Sequence, residues 1–117
     1  MAFDLIIRNG TVVDGTGAPP RMADIAVAGG KIAEIGKVSG QAGRVIDAEG
    51  RAVVPGFVDP HTHYDSQICW DKALTPSPWH GVTTVVSGNC GVGIAPCAPA
   101  TRDTAMHDLV NVEGMPY

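Results

Sequence analysis

The sequence predicts an α/β protein in two parts: a small antiparallel β-domain over residues 1–54 and, over residues 55–117, the opening of a β/α repeat. Three observations carry this prediction. β-prone runs separated by tight-turn dipeptides fill the first part. Val82-Thr83-Thr84-Val85-Val86 is β-branched at every position, the pattern of a strand buried on both faces, as in a parallel sheet. Met106, Leu109 and Val110 then recur at helical spacing.

Taken in order, residues 3–8 and 11–14 are two β-prone runs split by Asn9-Gly10, a strong hairpin-turn signal. Residues 15–20, rich in glycine and proline, break the pattern. A second pair, residues 24–28 and 31–35, flanks Gly29-Gly30, and a third, residues 45–47 and 51–54, flanks Glu49-Gly50. Such a unit has exposed edges and is expected to need further strands. Past Pro55, Gly56-Phe57-Val58-Asp59 is a short, mostly apolar strand running into His61-Thr62-His63. Residues 64–81 are expected to hold a short helix. The strand over 82–86 ends in the polar turn Ser87-Gly88-Asn89-Cys90-Gly91. A last helix follows, with Thr101 as its cap and Glu113-Gly114-Met115-Pro116 as its stop.

Bulk composition narrows the function classes. The 117 residues suffice for one small core but are short for a large enzyme fold. The formal net charge is −4, and the eight Lys and Arg residues form no cluster that could neutralise phosphates, so neither nucleic acid nor an anionic membrane surface is an expected partner. Cys69, Cys90 and Cys97 form no C-x-x-C pair, and their odd number argues against a disulfide framework. A reducing, cytoplasmic setting follows as the expectation. The start shows no basic region followed by an apolar core, so no secretory signal is read there. No apolar run approaches the roughly 20 residues of a membrane helix.

His61 and His63 are the first candidates for chemistry. Residues i and i+2 of an extended chain point to the same side, so both imidazoles converge at the carboxyl end of a strand. That end is where β/α barrels keep their catalytic groups. Imidazole nitrogen suits zinc and similar divalent metals, at about 2.0–2.1 Å. A bare H-x-H pair is a weak signal; its setting behind Pro55-Gly56-Phe57-Val58-Asp59-Pro60 strengthens it. Cys90 closes the next strand and offers a soft thiolate ligand, although local sequence alone favours a buried cysteine serving as a small hydrophobe. Asp59, Asp65 and Asn89 are candidates to orient the ligands from the outer shell, or else to serve caps and turns. His80 precedes a strand and reads as structural, and His107 as a solvated helix residue. Cys69 and Cys97 read as packing residues, and Trp70 and Trp79 as filling the space between helix and barrel.

These residues carry a resemblance. Residues 53–63, Val-Val-Pro-Gly-Phe-Val-Asp-Pro-His-Thr-His, resemble the first barrel strand of the amidohydrolase superfamily, and residues 4–15 its small β-domain. Trp79-His80-Gly81-Val82-Thr83-Thr84-Val85, with Gly88-Asn89-Cys90-Gly91-Val92-Gly93 and Ala95-Pro96-Cys97, is similar to the N-acyl-D-amino-acid deacylase (D-aminoacylase) branch. Val112-Glu113-Gly114-Met115-Pro116 also resembles that branch. The resemblance spans essentially the whole chain.

It implies a fold and a chemistry. Residues 1–54 would be the amino-terminal part of a composite β-sandwich, and residues 55–117 the first two β/α units of an incomplete TIM-like metallo-dependent hydrolase barrel. A full barrel takes about 250 residues, and family members draw further histidines and a proton-carrying aspartate from later strands. No catalytic acid or base is therefore assigned in this chain, which alone is expected to be inert. The implied ligands are His61, His63 and Cys90, holding one or two divalent ions, zinc first among them. The implied reaction is metal-assisted hydrolysis of the amide of an N-acyl-D-amino acid, in which the metal polarises the carbonyl and makes water acidic. The alternatives are a dihydropyrimidinase-like cyclic amidohydrolase, a non-catalytic truncated product, or half of a split enzyme. In the last two cases the partner would be the remainder of the barrel, or a second copy associating through exposed strands.

Overall fold

The computed structural model describes residues 2–115, and the chain divides into two compact units, Met1–Pro55 and Gly56–Tyr117.

The first unit is a sheet of five strands: β1 (Phe3–Val12), β2 (Arg21–Ala28), β3 (Lys31–Gly36), β4 (Ala42–Asp47) and β5 (Ala52–Val53). Their order is β3-β2-β1-β4, with β5 beside β1 past the end of β4. β2 and β3 form the hairpin expected around Gly29-Gly30, with Ala28 opposite Lys31. Both glycines have positive φ, 58° and 73°, as the tight hairpin turn requires.

Two expectations fail here. Asn9-Gly10 is not a hairpin turn: β1 runs straight through it, with a register irregularity against β2 between Ile7 and Gly10. Tertiary hydrogen bonds override the local turn signal. The Asn9 backbone N–H donates to Asp24 Oδ1 at 3.0 Å, and its side-chain amide to Asp47 Oδ1 at 3.1 Å. These hold Asn9 at φ 56°, a left-handed conformation asparagine tolerates, and the strand bulges instead of reversing. Gly10 is needed beside it for a different reason: a Cβ there would lie 2.6 Å from Val53 Cγ2.

Nor is the sheet purely antiparallel. β4 and β5 do not pair with each other; both run parallel to β1, Ile6 opposite Val45 and Val12 opposite Val53. The Glu49-Gly50 turn steps the chain forward along β1: Gly50 N–H donates to Asn9 O and Thr11 N–H to Arg51 O. The core of this unit is small, with Ile6, Ala26 and Val38 buried together and Phe3 and Ala42 partly covering them. Arg8 ties the loop at Val38 to the sheet, donating to Val38 O and Asp24 Oδ2, each at 3.0 Å.

The second unit pairs two strands in parallel, β6 (Phe57–Thr62) and β7 (Val82–Ser87). Between them lie α1 (Tyr64–Gln67) and a 3-10 turn (Ser77–His80), and α2 (Arg102–Glu113) follows. Gly56 permits a close approach, since a Cβ there would fall 2.2 Å from the Thr83 side chain. The Thr62 hydroxyl, almost fully buried, donates to Val86 O at 3.0 Å and links the carboxyl ends of the two strands.

β7 was expected to be buried on both faces; among the described residues it has only β6 beside it and is half-exposed, Val86 at 43%. Trp70 and Trp79 are likewise exposed rather than packed, and so is Cys69, whereas Cys97 is partly buried. A two-stranded sheet has too little area to cover large side chains. Thr101 stands at the start of α2 but does not cap it: its hydroxyl donates back to Ala98 O at 3.1 Å. Leu109 is the buried residue of the apolar stripe on α2, while Met106 is exposed. The helix stops at Gly114, which adopts φ 66°. Pro116, the last residue of the expected stop, lies outside the described residues. No helix among the described residues is long and apolar enough to cross a membrane.

Candidate metal centre

His61 is the next-to-last residue of β6, before Thr62, and His63 follows as the chain turns into α1. Alternation on the strand sends both rings the same way, and they stack with centroids 5.9 Å apart at an interplanar angle of 14°. Cys90 arrives from the turn after β7. One ligand atom from each of His61, His63 and Cys90 lies within 4.8 Å of the other two. A closed tetrahedral site with these bond lengths has ligand atoms roughly 3.3–3.8 Å apart, so small side-chain rotations close the set on a cation. Both histidines are exposed and the cysteine is half-buried, which leaves room for a water or substrate atom in a further position. Two imidazoles and one thiolate are a donor set suited to zinc.

Local hydrogen bonds build this convergence. Asn89 donates from its side-chain amide to Pro60 O at 2.8 Å, anchoring the turn that carries Cys90 to the strand that carries His61. The Cys90 thiol meanwhile contacts Val92 O at 3.4 Å. Asp59 acts on the main chain of His61 rather than on a ring: its Oδ1 accepts the His61 backbone N–H at 3.1 Å. Asp65 touches neither histidine through a hydrogen bond. Its Oδ1 lies 3.5 Å from where a Gly93 Cβ would stand, and its Oδ2 is buried without a partner among the described residues.

In the segment after α1, the Asp71 carboxylate gathers the following loop. It accepts from the Thr75 hydroxyl, the Gln67 side-chain amide and the backbone N–H groups of Thr75 and Ala73. These bonds, the Thr75 hydroxyl foremost, lower its pKa below the ordinary carboxylate value. His80 is exposed in its 3-10 turn, and His107 on α2 bonds Asp103 O through Nδ1 at 2.8 Å.

Two groups at the site were missed from the sequence. Thr62, between the histidines, faces the opposite way and clamps the strands. Glu113, at the end of α2, lies 2.6 Å from His63 Nδ1 through its Oε1. The only signal for Glu113 was its place in a segment already matched to the deacylase branch.

Comparisons with known proteins give the family. A family model described as "Amidohydrolase family" matches residues 44–114. The D-aminoacylase of Alcaligenes xylosoxydans xylosoxydans is 46% identical over 113 residues, covering 96% of this chain and 23% of the relative. An allantoinase of Escherichia coli is 59% identical over 116 residues, covering 93% of this chain and 24% of the relative. Among solved structures, the N-acyl-D-glutamate deacylase of Bordetella bronchiseptica, complexed with zinc and a phosphonate mimic of the tetrahedral intermediate, superimposes with a TM-score of 0.77. It is 44% identical, over 83% of this chain and 21% of that one. The chain therefore belongs to the amidohydrolase family. It spans about a quarter of the length of the curated relatives named here.

Proposed function

We propose that this chain supplies the first metal ligands of a zinc-dependent hydrolase that deacylates N-acyl-D-amino acids. The observation that carries the reading is the convergence of His61, His63 and Cys90, drawn from two neighbouring strand ends, on a volume one cation can fill. Support comes from the D-aminoacylase likeness over nearly the whole chain and from the zinc-containing deacylase neighbour. When bound, the metal supplies Lewis acidity toward an amide carbonyl and a water of lowered pKa.

The chain's own residues hold that chemistry in place. With a metal bound, His61 and His63 would present neutral imidazoles and Cys90 a thiolate, and Thr62 and Asn89 fix the distance between the two strand ends. Asp59 holds the backbone at His61, so that the ring leaves the strand in a fixed direction. Asp59 and Asn89 thus support the ligands through the main chain. Cys90, free of any disulfide, fits a cytoplasmic enzyme, where thiols stay reduced.

The test uses the intact gene product. Metal analysis after zinc loading should show bound zinc, and N-acyl-D-amino acids should be turned over faster than allantoin, the substrate that the likeness to an allantoinase makes the natural comparison. Cys90→Ser should weaken zinc binding by about 100-fold or more, beyond the 10–100-fold typical of losing an outer-shell partner. Undiminished zinc affinity in Cys90→Ser, or faster turnover of allantoin, would overturn the reading.

A further inference from the structure

The carboxylate that α2 delivers to the site comes from fifty positions beyond the histidine it meets. Glu113 is the last residue of α2, and its Oε1 lies 2.6 Å from His63 Nδ1. The Glu113 side chain is 15% exposed and that of His63 47%, so the acid is largely withdrawn from water while the ring keeps one side open. Its placement runs against helix electrostatics. A negative charge in the last turn opposes the macrodipole, and that turn carries no basic residue to offset it. The imidazole N–H is the group that compensates it.

The pair reads in one direction when an ionised carboxylate meets a neutral imidazole. An ionised carboxylate only accepts hydrogen bonds, and a neutral imidazole has one donor and one acceptor nitrogen. With Oε1 on Nδ1, the proton must sit on Nδ1, and the lone pair on Nε2 is left for a cation. His61 differs: among the described residues its ring has the stack on His63 but no hydrogen bond at either nitrogen. Only one of the two imidazoles therefore has its tautomer fixed from outside.

We propose that Glu113 is a positioning residue for the metal centre. It locks His63 in the Nδ1–H tautomer and fixes the ring so that Nε2 faces the position shared with His61 and Cys90. This rests on the metal-centre reading above and extends it to a residue outside the ligand set. Carboxylate–histidine pairs of this kind raise ligand basicity and hold ring orientation. The consequence is structural as well as chemical, because α2 is tied to the strand end through the same bond.

The experiment compares the intact gene product with E113A and E113Q, checking each fold by circular dichroism. Zinc affinity is read by competition with a chromophoric chelator, and the His63 tautomer by 15N-resolved NMR of the metal-free protein. The unaltered protein should show His63 protonated on Nδ1. E113A should lose that pattern and bind zinc 10–100-fold more weakly. E113Q, whose amide oxygen still accepts from Nδ1–H, should keep both the tautomer and an affinity within a few-fold of the original. An E113A protein with unchanged affinity and tautomer overturns the proposal and makes the pair a surface contact. Equal loss in E113A and E113Q also overturns it and makes Glu113 a direct ligand. Failure of the unaltered protein to bind zinc removes the metal-centre reading itself, a distinct result.

Discussion

β1 and β6 are both strands on which a unit is organised, yet they are held in different ways. β1 has β2 on one edge and β4 and β5 on the other, and it buries Ile6 completely. β6 has β7 on one edge, no strand on the other among the described residues, and leaves Phe57 and Val58 more than half exposed. Burial orders the first strand. The second depends on specific polar bonds: Thr62 to Val86, Asn89 to Pro60, and His63 to Glu113. The difference shows how side chains such as His61, His63 and Cys90 can be brought together with little hydrophobic core beneath them. Hydrogen bonds are individually weak but directional, so they fix angles where apolar packing fixes only proximity.

Three measurements would sharpen or break this contrast. The largest effect belongs to Ile6→Ala. It removes a fully buried side chain and should cost about 2–5 kcal/mol of stability, read by urea unfolding, with amide exchange rising across β1, β2 and β4. A loss below 1 kcal/mol would mean that burial does not organise β1.

Next comes Thr62→Val, which keeps the shape but leaves Val86 O without its donor. A cost of about 1–2 kcal/mol is expected, with faster exchange at the ends of β6 and β7 and weaker zinc binding. Unchanged exchange in both strands would show that the clamp is dispensable.

The smallest effect is the response to acid. Asp47, held by the Glu49 backbone N–H and the Asn9 amide, and Asp71, held by the Thr75 hydroxyl, both have pKa values lowered in the folded state. Their stabilisation is complete above the unfolded carboxylate value of about 3.9 and is lost as the pH falls through the lower folded values. Asp14 behaves likewise, held low by the Thr16 hydroxyl and Arg21. Exchange at residues 71–75 should therefore accelerate only below about pH 4. Asp71→Asn should remove that acid limb and leave the one at the Asp47 turn intact. An acid response at 71–75 that survives the substitution would assign it to another group.

Much of the site was legible because part of it is local. Alternation along a strand is a property of the backbone, so an H-x-H run at a strand end places two imidazoles side by side whatever else the chain does. The β2–β3 hairpin was legible for the same reason, since Gly29 and Gly30 supply the positive φ angles the turn demands. Asn9-Gly10 was not, because it carries the same signal as a hairpin and only Asp24 and Asp47, from other strands, turn it into a bulge. The parallel course of β4 and β5 was hidden likewise, since strand direction is a long-range choice.

The sequence by itself determined which side chains could bind a metal and which segments would be strands, because donor atoms and backbone periodicity belong to each residue and its neighbours. Local sequence left Cys90 to a family resemblance, and tertiary structure brings it to the histidine pair and rests Glu113 on His63 Nδ1. Those contacts join residues 27 and 50 positions apart, and no local preference encodes a separation that only parallel pairing and the path of a helix can close.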